Sequence, residues 1–128
     1  MQLLYPENDA HIIKQRLAAE PQALLIICYC AAWCRACGGF EEQVKDFAQS
    51  HPEAICLWID IEAHEDLLVE EDLENLPSFL IQKDGETLFY APLPPMIEHI
   101  ERLYEQAQKG LLSAPGLDYP DFNAMIDG

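Results

Sequence analysis

The chain has 128 residues and a mass of 14.5 kDa, room for one domain and little more. Seven Lys and Arg stand against 23 Asp and Glu, a net charge of −16 and a pI near 4.3. Such a surface repels nucleic acid and anionic membranes, so neither is expected as a partner. Half of the residues are apolar and the mean hydropathy is −0.07, a globular composition. The longest apolar run, Ala23 to Cys30, is strand-sized and far short of the roughly 20 residues a membrane helix needs. The first residues lack a basic start followed by an apolar stretch, so no secretory signal is read and a cytoplasmic setting is expected.

In chain order, Gln2 to Tyr5 can form a short edge strand closed by Pro6. Asn8 or Asp9 can cap a helix carrying Ile12, Ile13 and Leu17, which Pro21 stops. Ala23 to Cys30 is continuously apolar, the pattern of a central strand buried on both faces. Phe40, Val44, Phe47 and Ala48 then fall on one face of a helix that ends near Ser50-His51-Pro52. A second buried strand spans Ala54 to Ile61, and an acidic, partly helical stretch runs on to Asn75. Ser78 to Gln82 and Glu86 to Tyr90 flank Lys83-Asp84-Gly85, which reads as a hairpin turn. Pro94-Pro95 opens a last helix with an apolar stripe of Met96, Ile97, Ile100, Leu103, Tyr104 and Ala107, stopped at Gly110. The order β-α-β-α-β-α-β-β-α defines an α/β domain over residues 1–110, followed by an acidic tail over 111–128.

Five cysteines occupy positions 28, 30, 34, 37 and 56, four of them within ten residues. An odd count argues against a complete disulfide framework, and paired cysteines in a reducing compartment point to catalysis or metal binding. Cys34 and Cys37 fall where the first central strand gives way to a helix. A thiol there faces unpaired backbone N–H groups and the positive end of the helix dipole, both of which favour the thiolate. Arg35 adds positive charge beside it. Two intervening residues let the second sulfur reach the first, so one can attack a disulfide and the other resolve the mixed disulfide. A zinc site from residues 28, 30, 34 and 37 would have to converge from one strand and the helix just after it, unlike the two separate knuckles of structural zinc sites, so no metal is expected. Cys28, Cys30 and Cys56 suit strand interiors as small buried residues, with a second pairing of Cys28 and Cys56 as the alternative.

These residues resemble the thioredoxin family. The resemblance rests on the apolar strand leading into Ala32-Trp33-Cys34-x-x-Cys37, on Ile59-Asp60, on Leu76-Pro77-Ser78 and on Lys83-Asp84-Gly85-Glu86. It implies a thioredoxin-like fold, a central mixed β-sheet flanked by helices on both faces. It also implies that Cys34 is the exposed nucleophile, Cys37 the buried resolving thiol, and Leu76-Pro77 a cis peptide beside them. Trp33, Leu76 and Pro77 would line the substrate groove. The sequence departs from the family at four places. Ala36 stands where proline is usual, Cys28 where thioredoxins keep a buried aspartate, Cys56 where they keep a lysine near it, and Cys30 where they carry a tryptophan.

The function expected is thiol–disulfide oxidoreduction on protein disulfides, with the Cys34–Cys37 disulfide as the only redox group and no added cofactor. An upstream thiol reductant would supply electrons. The alternative is a non-catalytic thioredoxin-fold binding or assembly module that uses its acidic surface. Glu62 to Glu74 holds seven acids and no bases, a solvated face or a docking surface for a basic protein partner.

Overall fold

A computed structural model describes residues 3–20, 22–31, 34–63, 76–84 and 86–110, with Ala36 by its backbone alone. The elements in chain order are α1 (Pro6–Ala19), β1 (Leu24–Cys30), α2 (Arg35–Ser50), β2 (Ile55–Asp60), β3 (Ser78–Lys83), β4 (Glu86–Pro92) and α3 (Ile97–Gln108). One four-stranded sheet has the order β2-β1-β3-β4. β1 and β2 run parallel, with Cys28 opposite Trp58 and Cys30 opposite Asp60. β3 is antiparallel to β1 and to β4.

The unbroken apolar sequence of β1 is explained by burial on both sides, and alternation divides its side chains between two cores. Leu24, Ile26, Cys28 and Cys30 face Phe40, Val44 and Phe47 of α2 and Ile100 and Tyr104 of α3. Leu25, Ile27 and Tyr29 face the other way, onto Ile13 and Leu17 of α1. The expected mixed sheet with helices on both faces is therefore the structure observed. Each fully buried Ile, Leu or Phe side chain contributes about 1.5–3 kcal/mol through removal from water.

Several elements differ from the sequence reading for local reasons. The expected first strand is a single parallel bridge between Leu4 and Leu57, held by Leu4 N donating to the Cys56 carbonyl (2.9 Å) and Trp58 N donating to the Leu4 carbonyl (3.0 Å). α1 starts at Pro6, one turn before the expected caps Asn8 and Asp9, and is kinked at Asp9, whose backbone is not helical (φ −122°, ψ 16°). Proline fits the first helical turn, and Asp9 reaches back to accept a hydrogen bond from Tyr5 N (2.9 Å) instead of capping from outside. α3 begins beyond the two prolines, and Met96 lies outside the stripe, half-exposed at its N-cap. In the hairpin turn, Asp84 takes the left-handed conformation at φ 51°. The acidic segment from 64 to 75, expected to be partly helical, and the tail over 111–128 lie outside the described residues.

Candidate active site

The C-terminal ends of the parallel strands β1 and β2 and the N-terminal end of β3 meet at one edge of the sheet, where α2 begins. In α/β sheets this end of the strands is where ligands bind. After Cys30 the chain turns tightly: Cys34 N donates to the Ala31 carbonyl (3.0 Å), and Cys34 is the N-cap residue of α2 with extended backbone. One turn further, Cys37 N donates to the Cys34 carbonyl (3.2 Å). Cys34 is a half-buried free thiol and Cys37 is buried. Both line a shallow cavity of about 230 Å³ whose other walls include Gly38, Glu41, Trp58 and Asp60.

Cys37 is joined to Cys30, not to Cys34 as expected from the two-residue spacing. The reason lies in side-chain direction. Cys30 points from the last position of β1 toward α2, and Cys37 lies one helical turn before Phe40 and two before Val44, on the stripe that faces the sheet. The two Cα atoms are 5.9 Å apart, within normal disulfide range. Cys28, two residues earlier on the same face, brings its sulfur to 3.8 Å from that of Cys30. Because Cys30 is in a disulfide, the S–H in this contact belongs to Cys28. Burial first, and the Glu41 carboxylate second, push the Cys28 thiol well up, so it stays protonated.

Cys56 is also buried, and burial pushes its thiol up to about 12 against a smaller opposing effect of Arg16. Cys28 and Cys56 lie on the same sheet face, but their direct cross-strand neighbours are Trp58 and Ile26, so the register does not set them opposite each other. All three extra cysteines are buried, as strand-interior residues should be.

Of the other expected site residues, Arg35 is exposed at the first position of α2. The Leu76–Pro77 peptide is cis, Pro77 is buried, and Ser78 beside it pairs with Tyr29 of β1. This brings the segment to the same sheet edge as the cysteines. Trp33 lies outside the described residues. Three residues absent from the expected site belong to it: Cys30 by its bond to Cys37, and Glu41 and Asp60 as carboxylates in the cavity wall. Glu41 accepts a hydrogen bond from the Tyr5 hydroxyl (2.5 Å), and Asp60 from Glu62 N (2.9 Å). The signal for Glu41 was its place four residues after Cys37, which sets the two one turn apart on the helix.

A free thiol at the N-cap position of a helix, a buried cysteine one turn on, and a cis-proline segment at the same edge of a mixed sheet define a thiol-redox α/β domain. The thioredoxin family model matches residues 7–106, and the chain belongs to the thioredoxin family. Thioredoxin-1 of Caenorhabditis elegans is 26% identical over 87 residues, 68% of this chain and 73% of that protein. With some other thioredoxins, the matched segment spans only about half of the relative's length. Fasciola hepatica thioredoxin superposes with a TM-score of 0.66 at 18% identity, over 83% of this chain and 98% of that one. A chain from the complex of ferredoxin:thioredoxin reductase with thioredoxin f2 superposes at 0.65 and 15% identity, over 84% and 96%. Membership supports a thiol–disulfide oxidoreductase kind of function.

Proposed function

We propose that the protein exchanges disulfides with other proteins through a dithiol cycle of Cys34 and Cys37. The observation that carries this reading is the placement of a free, half-exposed thiol at the N-cap of α2, one helical turn from a buried cysteine in the same cavity. In the reduced dithiol, the Cys34 thiolate attacks a substrate disulfide. One substrate sulfur leaves as a thiolate and takes a proton, and a mixed disulfide with Cys34 forms. Cys37 then loses its proton and attacks the Cys34 sulfur. The second substrate thiol departs and a Cys34–Cys37 disulfide remains, which an upstream thiol reductant returns to the dithiol. Glu41 and Asp60 take the part of proton acceptors at the cavity, since Cys28 stands where thioredoxins keep an aspartate. Arg35, exposed at the first position of α2, places a positive charge next to Cys34 in the chain. Leu76 and Pro77, at the same sheet edge as the cysteines, would hold an extended substrate segment, and the family resemblance gives Trp33 a part in the same contact. A redox partner of the reductase kind is supported by the ferredoxin:thioredoxin reductase complex among the structural neighbours.

One observation favours the second reading, a non-catalytic binding module: the bond to Cys30 leaves Cys34 without a free resolving thiol. Insulin reduction with dithiothreitol as electron source separates the two. The dithiol reading expects turnover by the wild type and loss to background in Cys34→Ser. Wild-type turnover no faster than that of the variant would overturn it.

A further inference from the structure

We infer that Cys30 is a third redox-active cysteine, and that Cys37 exchanges its disulfide between Cys34 at the surface and Cys30 in the core. The inference rests on the dithiol reading and extends it inward. Cys37 is the common partner. It is bonded to Cys30, its backbone N–H is hydrogen-bonded to the Cys34 carbonyl, and it shares a cavity with Cys34. Side-chain alternation along β1 sends Cys30 toward α2, and helical spacing sends Cys37 toward β1, so the same packing that builds the core brings these sulfurs into bonding contact.

The step is an isomerisation and needs no outside oxidant or reductant. The Cys30 thiol gives up its proton to the solvent and attacks the Cys37 sulfur of the Cys34–Cys37 disulfide. The Cys30–Cys37 bond forms, the Cys34–Cys37 bond breaks, and the electron pair leaves on the Cys34 sulfur, which takes a proton at the cavity mouth. Neither the electron count nor the total number of thiols changes. The Cys28 S–H, 3.8 Å from the Cys30 sulfur, is placed to donate a hydrogen bond to the attacking thiolate. The product is the arrangement in this structure: an oxidised protein with its disulfide buried and Cys34 a free thiol. In that form Cys34 can still attack a substrate, but Cys37 cannot resolve the mixed disulfide, so the site acts as a monothiol.

The test is disulfide mapping on the full chain, oxidised with diamide, quenched in acid, alkylated with N-ethylmaleimide and analysed by peptide mass spectrometry. The wild type is expected to show both Cys34–Cys37 and Cys30–Cys37 linkages, with alkylated Cys34 accompanying the second. Oxidised Cys34→Ser should carry the Cys30–Cys37 linkage alone, and Cys30→Ala should lose all Cys34 labelling. Wild-type samples prepared with different ratios of the two linkages should converge on one ratio in mildly alkaline buffer and stay fixed in acid. Oxidised wild type with only the Cys34–Cys37 linkage, together with a Cys34→Ser variant that keeps Cys30 and Cys37 as thiols, would overturn the proposal. So would linkage ratios that never converge. The Cys34→Ser arm is decisive if Cys30→Ala does not fold. The two readings fail separately: insulin turnover without a Cys30 linkage removes the inference alone, whereas a Cys30 linkage without turnover removes the dithiol reading.

Discussion

The two faces of the sheet are built from the same strands yet differ in chemistry. The α1 face is packed by Ile13, Ile27, Ile55, Leu57, Ile59 and Leu80 with Tyr29, and has no cysteine in it. The face under α2 and α3 holds Cys28, Cys30, Cys37 and Cys56, with Cys34 packed at its border. Alternation along β1 and β2 makes this separation, since neighbouring residues go to opposite cores. A substitution on the first face changes stability alone, whereas one on the second changes stability and the cysteine chemistry together.

That difference can be broken by paired core truncations. Phe40→Ala removes a fully buried ring that packs edge-on against Phe79 at 5.8 Å, and should cost about 3–5 kcal/mol in urea unfolding. It should also shift which cysteine is paired with Cys37, because Phe40 holds the first turn of α2 against the sheet. Ile13→Ala on the other face should cost about 2–5 kcal/mol and leave the disulfide pattern of the folded protein unchanged. A changed pattern in Ile13→Ala would show that the faces are not independent.

The pH dependence of stability sharpens the contrast. Burial raises the Cys56 thiol to about 12, so its contribution to stability is fully present below about 8.5, the ordinary thiol value, and is lost as the pH rises toward 12. The α1 face offers Tyr29, whose hydroxyl burial also raises, but from an ordinary value near 10, so its effect begins later. Urea midpoints under reducing conditions should fall from about pH 8.5 upward, and Cys56→Ala should flatten the first part of that fall. An unchanged slope in the variant would locate the alkaline loss elsewhere. The smallest effect belongs to the outer side of α2. A Cβ at Gly39 meets nothing within 4 Å, so Gly39→Ala should stabilise by about 0.5–1 kcal/mol through helix propensity, with no effect on either core.

Much of this was legible in the residues. The unbroken run of β1, the stripe of α2 and the turn at Lys83-Asp84 placed their elements to within a residue or two, because each obeys one periodicity. The Cys34-x-x-Cys37 pair placed the site, because a strand-to-helix junction dictates its exposure. The partner of Cys37 was not legible. Residue spacing along the chain favours Cys34, whereas the bond to Cys30 depends on how the first turn of α2 sits on the end of β1, a tertiary contact. Asp9 was legible only in part: the helix is kinked at it, but its side chain accepts from Tyr5 N, before the first turn. Glu41 was legible only through its place one helical turn after Cys37, whereas the role of Asp60 depends on the cavity that joins α2 to β2, which no local pattern reveals.

The claim that Cys34 attacks and Cys37 resolves is tested most directly by trapping. Cys37→Ser, mixed with a disulfide-bonded protein such as insulin, should accumulate a mixed disulfide that peptide mass spectrometry locates at Cys34 and that dithiothreitol releases. No adduct, or an adduct at a cysteine other than Cys34, would contradict the account.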